Sequence, residues 1–407
     1  MKWFRPLAAG AVCTVCFFSA RALALEVPAG TTMEIRLKTK VSTQTAKAKD
    51  PLDAVVIAPV MVNGQFAIPA GTPVRGTVEK VSASAKTDER SVLLLNFTEI
   101  EINGAKKKLA AQLAAIDNAR ESIDGQGQIN GILPSETITG EIDAGLNKLA
   151  NRYANLADVL SVAKSAVLKP ADTGITYEAG AEMELKLKMP LTLARAGGPG
   201  PAAQVGPIPD EAALANLVAR EPFQTMAQKP SKPSDITNVM LLGSEDAVRK
   251  AFADAGWSPA AGLNAEAKFE TFKAIAEGHG YSEAPVSVLL LDGKPPDLVF
   301  EKLNNTFAQR HHLRLWRRPV TFHGSPVWAV TATHDTGINF SEQDRTFIHK
   351  IDSQIDRERA KVVNDLIFCG HVHGIALVDR PGVPQHGQNA TGDNLDTDGK
   401  IAVLLLE

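Results

Sequence analysis

The chain has 407 residues, 44% of them hydrophobic, with 46 acidic residues against 43 Lys and Arg and a formal net charge of -3. That length and apolar content exclude a disordered chain and predict two domains. The slight acidic excess argues against nucleic acid as a partner, because a phosphate backbone calls for clustered Lys and Arg.

Residues 1–24 have the pattern of an export signal. Lys2 and Arg5 give a basic start, Leu7 to Ser19 is apolar, and Ala22-Leu23-Ala24 is a small-residue cleavage site. The mature chain is therefore expected to begin at Leu25, with no membrane span left, since the apolar run is shorter than a spanning helix requires and is broken at Arg21. Loss of Lys2, Arg5 and Arg21 from the 43 basic residues leaves 40 against 46 acidic ones. Cys13 and Cys16 go with the signal, so Cys369 is left alone, no internal disulfide can form, and stability must come from packing. The expected location is the periplasm or the extracellular space.

Residues 25–195 carry three related phrases, Val27-Pro28-Ala29-Gly30-Thr31, Ile68-Pro69-Ala70-Gly71-Thr72 and Tyr177-Glu178-Ala179-Gly180-Ala181. Each precedes an alternating run, Met33 to Leu37, Val74 to Val78 and Met183 to Leu187. A turn with glycine in the left-handed region, followed by a period of two, predicts half-buried strands. Further strands are expected at 54–62, 92–101 and 106–116, which together make a small all-β barrel or sandwich. The repeated aliphatic-Pro-Ala-Gly-Thr phrase before a Gly-x-Val strand resembles the periplasmic barrel of TrbI-type conjugation channel proteins. That resemblance implies a helical excursion before the last barrel strand, where residues 141–168 stand. Ile142, Leu146, Leu149, Tyr153, Leu156, Leu160, Ala163 and Val167 form a heptad seam there, a candidate surface for self-association or for an envelope component.

The composition of 196–233, rich in Pro and Gly, predicts a spacer before a second domain at 234–407. Asn238 to Leu242 is expected as a buried strand, Ser244 as the cap of a helix from Glu245 to Ala255, and Gly256 as its end. Strands are expected at 286–291, 297–302, 310–319, 326–335, 371–378 and 400–406, with a helix from Ser353 to Ile367. That succession predicts an α+β domain with a mostly antiparallel sheet. The pieces Leu242-Gly243-Ser244, Ala255-Gly256-Trp257, Ala284-Pro285-Val286, Asp297 to Lys302, Arg310-His311-His312 with Arg314 and Trp316, and His349 to Asp352 with Asp356 to Arg359 resemble, in that order, the C-terminal domain of LssY-type bacterial proteins. The resemblance implies no particular reaction.

Chemistry, if present, should centre on the strands 310–319 and 326–335. A tight hairpin at His323-Gly324 would place His312 opposite Asp335, and a slip of one residue would place it opposite His334. Two functions follow. In the first, Arg310, His311, His312 and Arg314, with Asp297 and Glu301, recognise a polar ligand or partner, and no bond is made or broken. In the second, His312, His334, Asp335, His349 and Asp352 hold a divalent metal such as Zn, Mn or Fe and activate water against a phosphate or acyl ester. A purely structural reading stands beside both: Asp352 as a helix N-cap, Asp356 paired with Arg359 or Lys361, and the two arginines satisfied by Asp297 or Glu301. Gly280 to Ala284 lacks the strand-to-helix context of a nucleophile elbow, and Asn394 to Gly399 lacks the closing glutamate of a calcium loop.

Overall fold

The computed structural model describes residues 25–136, 173–260 and 289–407, apart from 85, 87, 195, 199, 229–230, 303–309 and 342–345. The expected export signal, the 141–168 seam with its self-association, and the 280–286 pieces lie outside the described residues. Among the described residues, no helix is long and apolar enough to cross a membrane.

The first body is an almost closed antiparallel barrel. Its main strands are β1 (Thr32–Leu37), β2 (Pro51–Val56), β3 (Pro73–Ser82), β4 (Val92–Ile102), β5 (Ala111–Ile116), β6 (Ser122–Ile123), β7 (Gln128–Asn130) and β8 (Glu182–Leu187). They are ordered β5-β8-β1-β2-β3-β4-β7-β6. The alternation in the sequence is what fills the interior: Ile35, Leu37, Val74, Val78, Leu93, Leu95, Phe97 and Leu185 all point into one core. The three Gly phrases are turns as expected. Gly30, Gly71 and Gly180 have φ of 85°, 82° and 109°, and their N–H groups donate to Leu187, Val56 and Leu37 on neighbouring strands.

The second body is a sheet of β9 (Gly206–Pro207), β10 (Val239–Leu242), β11 (Trp257–Pro259), β12 (Leu298–Lys302), β13 (Arg310–Phe322), β14 (Ser325–Ser341), β15 (Thr346–Ile351), β16 (Val372–Asp379) and β17 (Lys400–Leu406). The order is β9-β16-β17-β10-β14-β13-β12-β11, with β15 on β14. All pairs are antiparallel except β9/β16 and β10/β17. Helices α1 (Glu211–Arg220), α2 (Glu245–Asp254) and α3 (Ile355–Phe368) cover it. On one face Val239, Leu241, Leu313, Leu315, Trp328 and Val330 meet Phe252 of α2 and Val362 and Leu366 of α3. On the other, Met240, Leu242, Val327 and Val403 meet Leu214 and Val218 of α1. Both faces are covered, which explains why β10 reads as an unbroken apolar run.

Residues 196–233, expected as a spacer that begins helically after 210, carry regular structure, including the helix α1 at that place, and their described residues pack on both bodies. Gly197 donates to Phe66 of the barrel, β9 pairs with β16, and α1 lies under the second sheet. The apolar residues Ile208, Leu214 and Val218 set within that Pro-rich stretch are what bind it down.

Ser244 caps α2 as expected, its Oγ accepting from the Ala247 N–H at 3.1 Å, and Gly256 follows with φ of 80°. Ser244→Ala should therefore lower the denaturation midpoint by an amount worth about 1 kcal/mol. A chain with an unchanged midpoint would show that the cap contributes nothing.

Candidate functional site

The hairpin turn falls at His323-Gly324, as the sequence predicts, with Phe322 opposite Ser325. Further down the ladder the register is not the expected one. Arg318, Pro319 and Val320 stand against Val327 alone, a bulge at the residue that lacks a backbone N–H. Beyond it His312 faces Thr333, Arg310 faces Asp335 and His311 faces His334. A shift of two residues leaves every side chain on its predicted face.

The His312 face holds a closed polar network. His312 Nε2 lies 2.9 Å from Asp335 Oδ1, Arg310 donates to Asp335 Oδ2 at 3.0 Å, and Arg314 donates to Asp235 at 3.1 Å. All five residues are buried. Burial pushes the His312 pKa down against the pull of Asp335, and burial likewise pulls Arg314 below the usual arginine range. His312 and Arg310 thus share Asp335, and Arg314 is paired with Asp235. Other expected pairings are corrected. Asp297 accepts from the Arg317 backbone N–H, and Glu301 is fully buried opposite His312. Asp352 does not cap α3. Gln354 holds that position, and Asp352 Oδ1 accepts from the Gln354 N–H. Asp356 does pair with Arg359, at 3.0 Å. His349 faces Ile338 across the ladder, and its side chain lies outside the described residues. Within the expected metal set, His334 and Asp335 are adjacent on β14 and point to opposite faces, and Asp335 is shared by His312 and Arg310.

The face bearing His311 gathers a different group. His311 and His334, opposed across β13 and β14, stack with ring centroids 4.1 Å apart and planes at 12°. Glu358 of α3 approaches His311 Nδ1 at 2.8 Å. The turn after barrel strand β5 supplies the far side: Asp117 Oδ2 lies 3.1 Å from His311 Nε2, and Asn118 Oδ1 lies 3.0 Å from His334 Nε2. Burial lowers the His311 pKa, but Glu358 and Asp117 outweigh it and carry it up to about 9. His334 moves the other way, pushed down by burial and then by His311. Ligand atoms of His311, His334 and Glu358 lie within 4.8 Å of one another.

This group borders a wider ionic seam between the bodies. Glu182 of β8 accepts from Arg36 and Lys302 on Oε1, at 2.8 and 2.7 Å, and from Lys361 on Oε2 at 2.7 Å. Asp365 accepts from Lys302 at 2.8 Å and from the indole N–H of Trp257 at 3.0 Å. Arg36 also donates to the Asp254 carbonyl at the end of α2. Burial would raise the Glu182 carboxyl, yet Lys302, Lys361 and Arg36 hold it well below the usual range. A cleft of about 330 Å³ opens beside these groups, lined by Glu34, Asp117, Asn118, Glu182, Glu184 and Lys361 among others. Burial raises the Glu34 pKa, opposed by Lys361.

The residues that sequence reasoning missed are Glu358, Asp117 and Asn118. One signal was legible. Glu358, Lys361 and Asp365 follow the same three-and-four spacing as Val362 and Leu366, and charges on the buried stripe of a helix require partners. Nothing local points to Asp117 and Asn118.

Residues 219–401 match the family model described as LssY C-terminus, which supports the resemblance drawn for the C-terminal body. A comparison with curated proteins finds no match. Among solved structures the chain is similar to ComB10 of the Com type IV secretion system of Helicobacter pylori, at 12% identity over 41% of this chain and 89% of that one, with a TM-score of 0.23. A similarity of that size fixes neither fold nor function.

Proposed function

We propose that this is an exported envelope protein in which a TrbI-like barrel is fixed to an LssY-like domain, and that the seam between them binds a cationic ligand without making or breaking a bond. The observation that carries the reading is the charge of the seam. Glu34, Asp117, Glu182, Glu184, Glu358 and Asp365 gather against Arg36, Lys302, Lys361 and the imidazole of His311. Carboxylates outnumber cations, and Glu358 Oε1 is buried with no hydrogen-bond partner among the described residues. A buried acceptor left without a donor favours a bound cation. Export is supported by the signal pattern of residues 1–24 and by the lone remaining cysteine. The hydrolase alternative has less support in the expected groove, where His312 and Arg310 are both engaged by Asp335 and Arg314 by Asp235.

The reading is tested on the mature chain by thermal unfolding with Zn²⁺, Mn²⁺, Mg²⁺, Ca²⁺ and an organic diamine in turn. At least one should raise the midpoint by about 5–10 °C at about a hundred-fold excess over its Kd. Asp117→Asn together with Glu34→Gln should reduce that rise. A midpoint indifferent to every cation overturns the cation-binding reading.

A further inference from the structure

The seam holds one group whose chemistry is narrower than that of its carboxylates. The three ligand-bearing side chains all come from the LssY-like domain: His311 from β13, His334 from β14 and Glu358 from α3. Both partners of the distal imidazole nitrogens come from the barrel. A carboxylate or amide oxygen can only accept, so Asp117 and Asn118 require Nε2 of each ring to carry the proton. In the ion-free chain Nδ1 of His311, the nitrogen beside Glu358, carries the ring's second proton; a bound metal ion takes that proton's place and releases it to solvent, so that the Nδ1 lone pair faces the ion. Histidine ligands to metals are held in this way, the coordinating nitrogen aimed inward while the other donates to a carboxylate or carbonyl.

We propose that His311 Nδ1, His334 Nδ1 and the Glu358 carboxylate bind one divalent first-row metal ion of the zinc class, and that Asp117 and Asn118 of the barrel are the positioning residues that complete the site. This deepens the seam reading and rests on it. An ion bound at about 2.0–2.2 Å needs ligand atoms about 3.3–3.6 Å apart. The observed group brackets that spacing, with one pair at 2.8 Å and all three within 4.8 Å. The stacked rings already stand side by side because β13 and β14 hold them in register. Glu358 is 5% exposed, and its unpartnered Oε1 gives the carboxylate an oxygen that the protein itself does not occupy among the described residues. Two imidazoles and one carboxylate favour zinc, iron or manganese over magnesium and calcium, which take mainly oxygen ligands. Ligands from one body and positioning residues from the other also make ion binding and barrel docking mutually supportive, since a coupling between two equilibria acts equally on both.

The test uses the untagged mature chain, stripped with a chelator and titrated with Zn²⁺ in competition with a chromophoric chelator, and separately with Co²⁺ followed by its visible absorption. One ion per chain is expected, with Co²⁺ bands of a low-coordinate nitrogen and oxygen site. His334→Gln, a change at the only partly exposed ligand, should weaken Zn²⁺ by a hundred-fold or more, on the order of losing one ligand. Asn118→Ala should weaken it by about 10–100-fold while the Co²⁺ spectrum keeps its form. Glu358→Gln gives a second inner-ligand variant should His334→Gln fail to fold. Stoichiometric zinc that is indifferent to His334 and Glu358 overturns the site, as does the absence of stoichiometric zinc. If a diamine, Mg²⁺ or Ca²⁺ binds the seam in that case, the cation reading survives; if no cation binds, both fall. Equal affinity in Asn118→Ala and the parent overturns the role given to the barrel.

Discussion

Glu182→Ala lowers stability by about 3–5 kcal/mol, the range for a buried ion network that loses its central partner. The carboxylate is 7% exposed and takes Arg36, Lys302 and Lys361 at once, so its removal leaves Asp365 as the one carboxylate within 4 Å of the three cations among the described residues. Lys302 is the worst placed of them. Its side chain is 3% exposed, over the Trp257 ring at 5.0 Å, with only Asp365 and the Ala255 carbonyl left. Because Arg36 and Glu182 belong to the barrel while Lys302, Lys361 and Asp365 belong to the LssY-like domain, the loss should appear as separation of the two bodies. Urea unfolding should then show a new early transition, and limited proteolysis should cut faster between residues 196 and 205. A surface pair provides the contrast. Glu245 and Arg249 on α2 are 43% and 47% exposed, and Glu245→Ala should cost no more than about 0.5 kcal/mol. Equal effects from Glu182→Ala and Glu245→Ala would mean that the seam does not hold the bodies together.

What the sequence made legible were the features encoded locally. The Pro-Ala-Gly turns, the Ser244 cap and the His323-Gly324 hairpin each follow from a few adjacent residues. The register below that hairpin was not legible to the same degree, because the Arg318 to Val320 bulge inserts two residues without changing the face of any neighbour. The candidate site was half legible. Alternation correctly separated the His311 face from the His312 face, but arginines and a nearby aspartate drew attention to the His312 face. Those charges turned out to neutralise each other, whereas the His311 face is completed by Glu358 and by Asp117, 194 residues distant. Contacts of that separation leave no period in a sequence.

Raising the pH from 7 to 10 destabilises the chelator-treated protein, with the loss spread between about pH 6.5 and 9. His311 is the source. Burial alone would depress its pKa, but Glu358 on Nδ1 and Asp117 on Nε2 carry it from 6.5 to about 9. A folded pKa above the unfolded one means that the stabilisation is fully present below pH 6.5 and is lost as the pH rises through about 9. The shift is worth on the order of 3 kcal/mol. His312 and His334 have the opposite sign. Their folded pKa values lie below 6.5, so their contributions are present above that pH and are lost on the acid side. Glu358 and Asp117, held below the usual carboxylate range despite burial, also lose theirs in acid. The alkaline limb therefore belongs to His311 alone among these groups. Urea midpoints taken between pH 6 and 10 should fall steadily above about pH 7 in the parent, whereas His311→Gln, less stable throughout, should show a flatter profile over the same range. Parallel alkaline slopes in the two chains would remove His311 as the charged link between the barrel and the LssY-like domain.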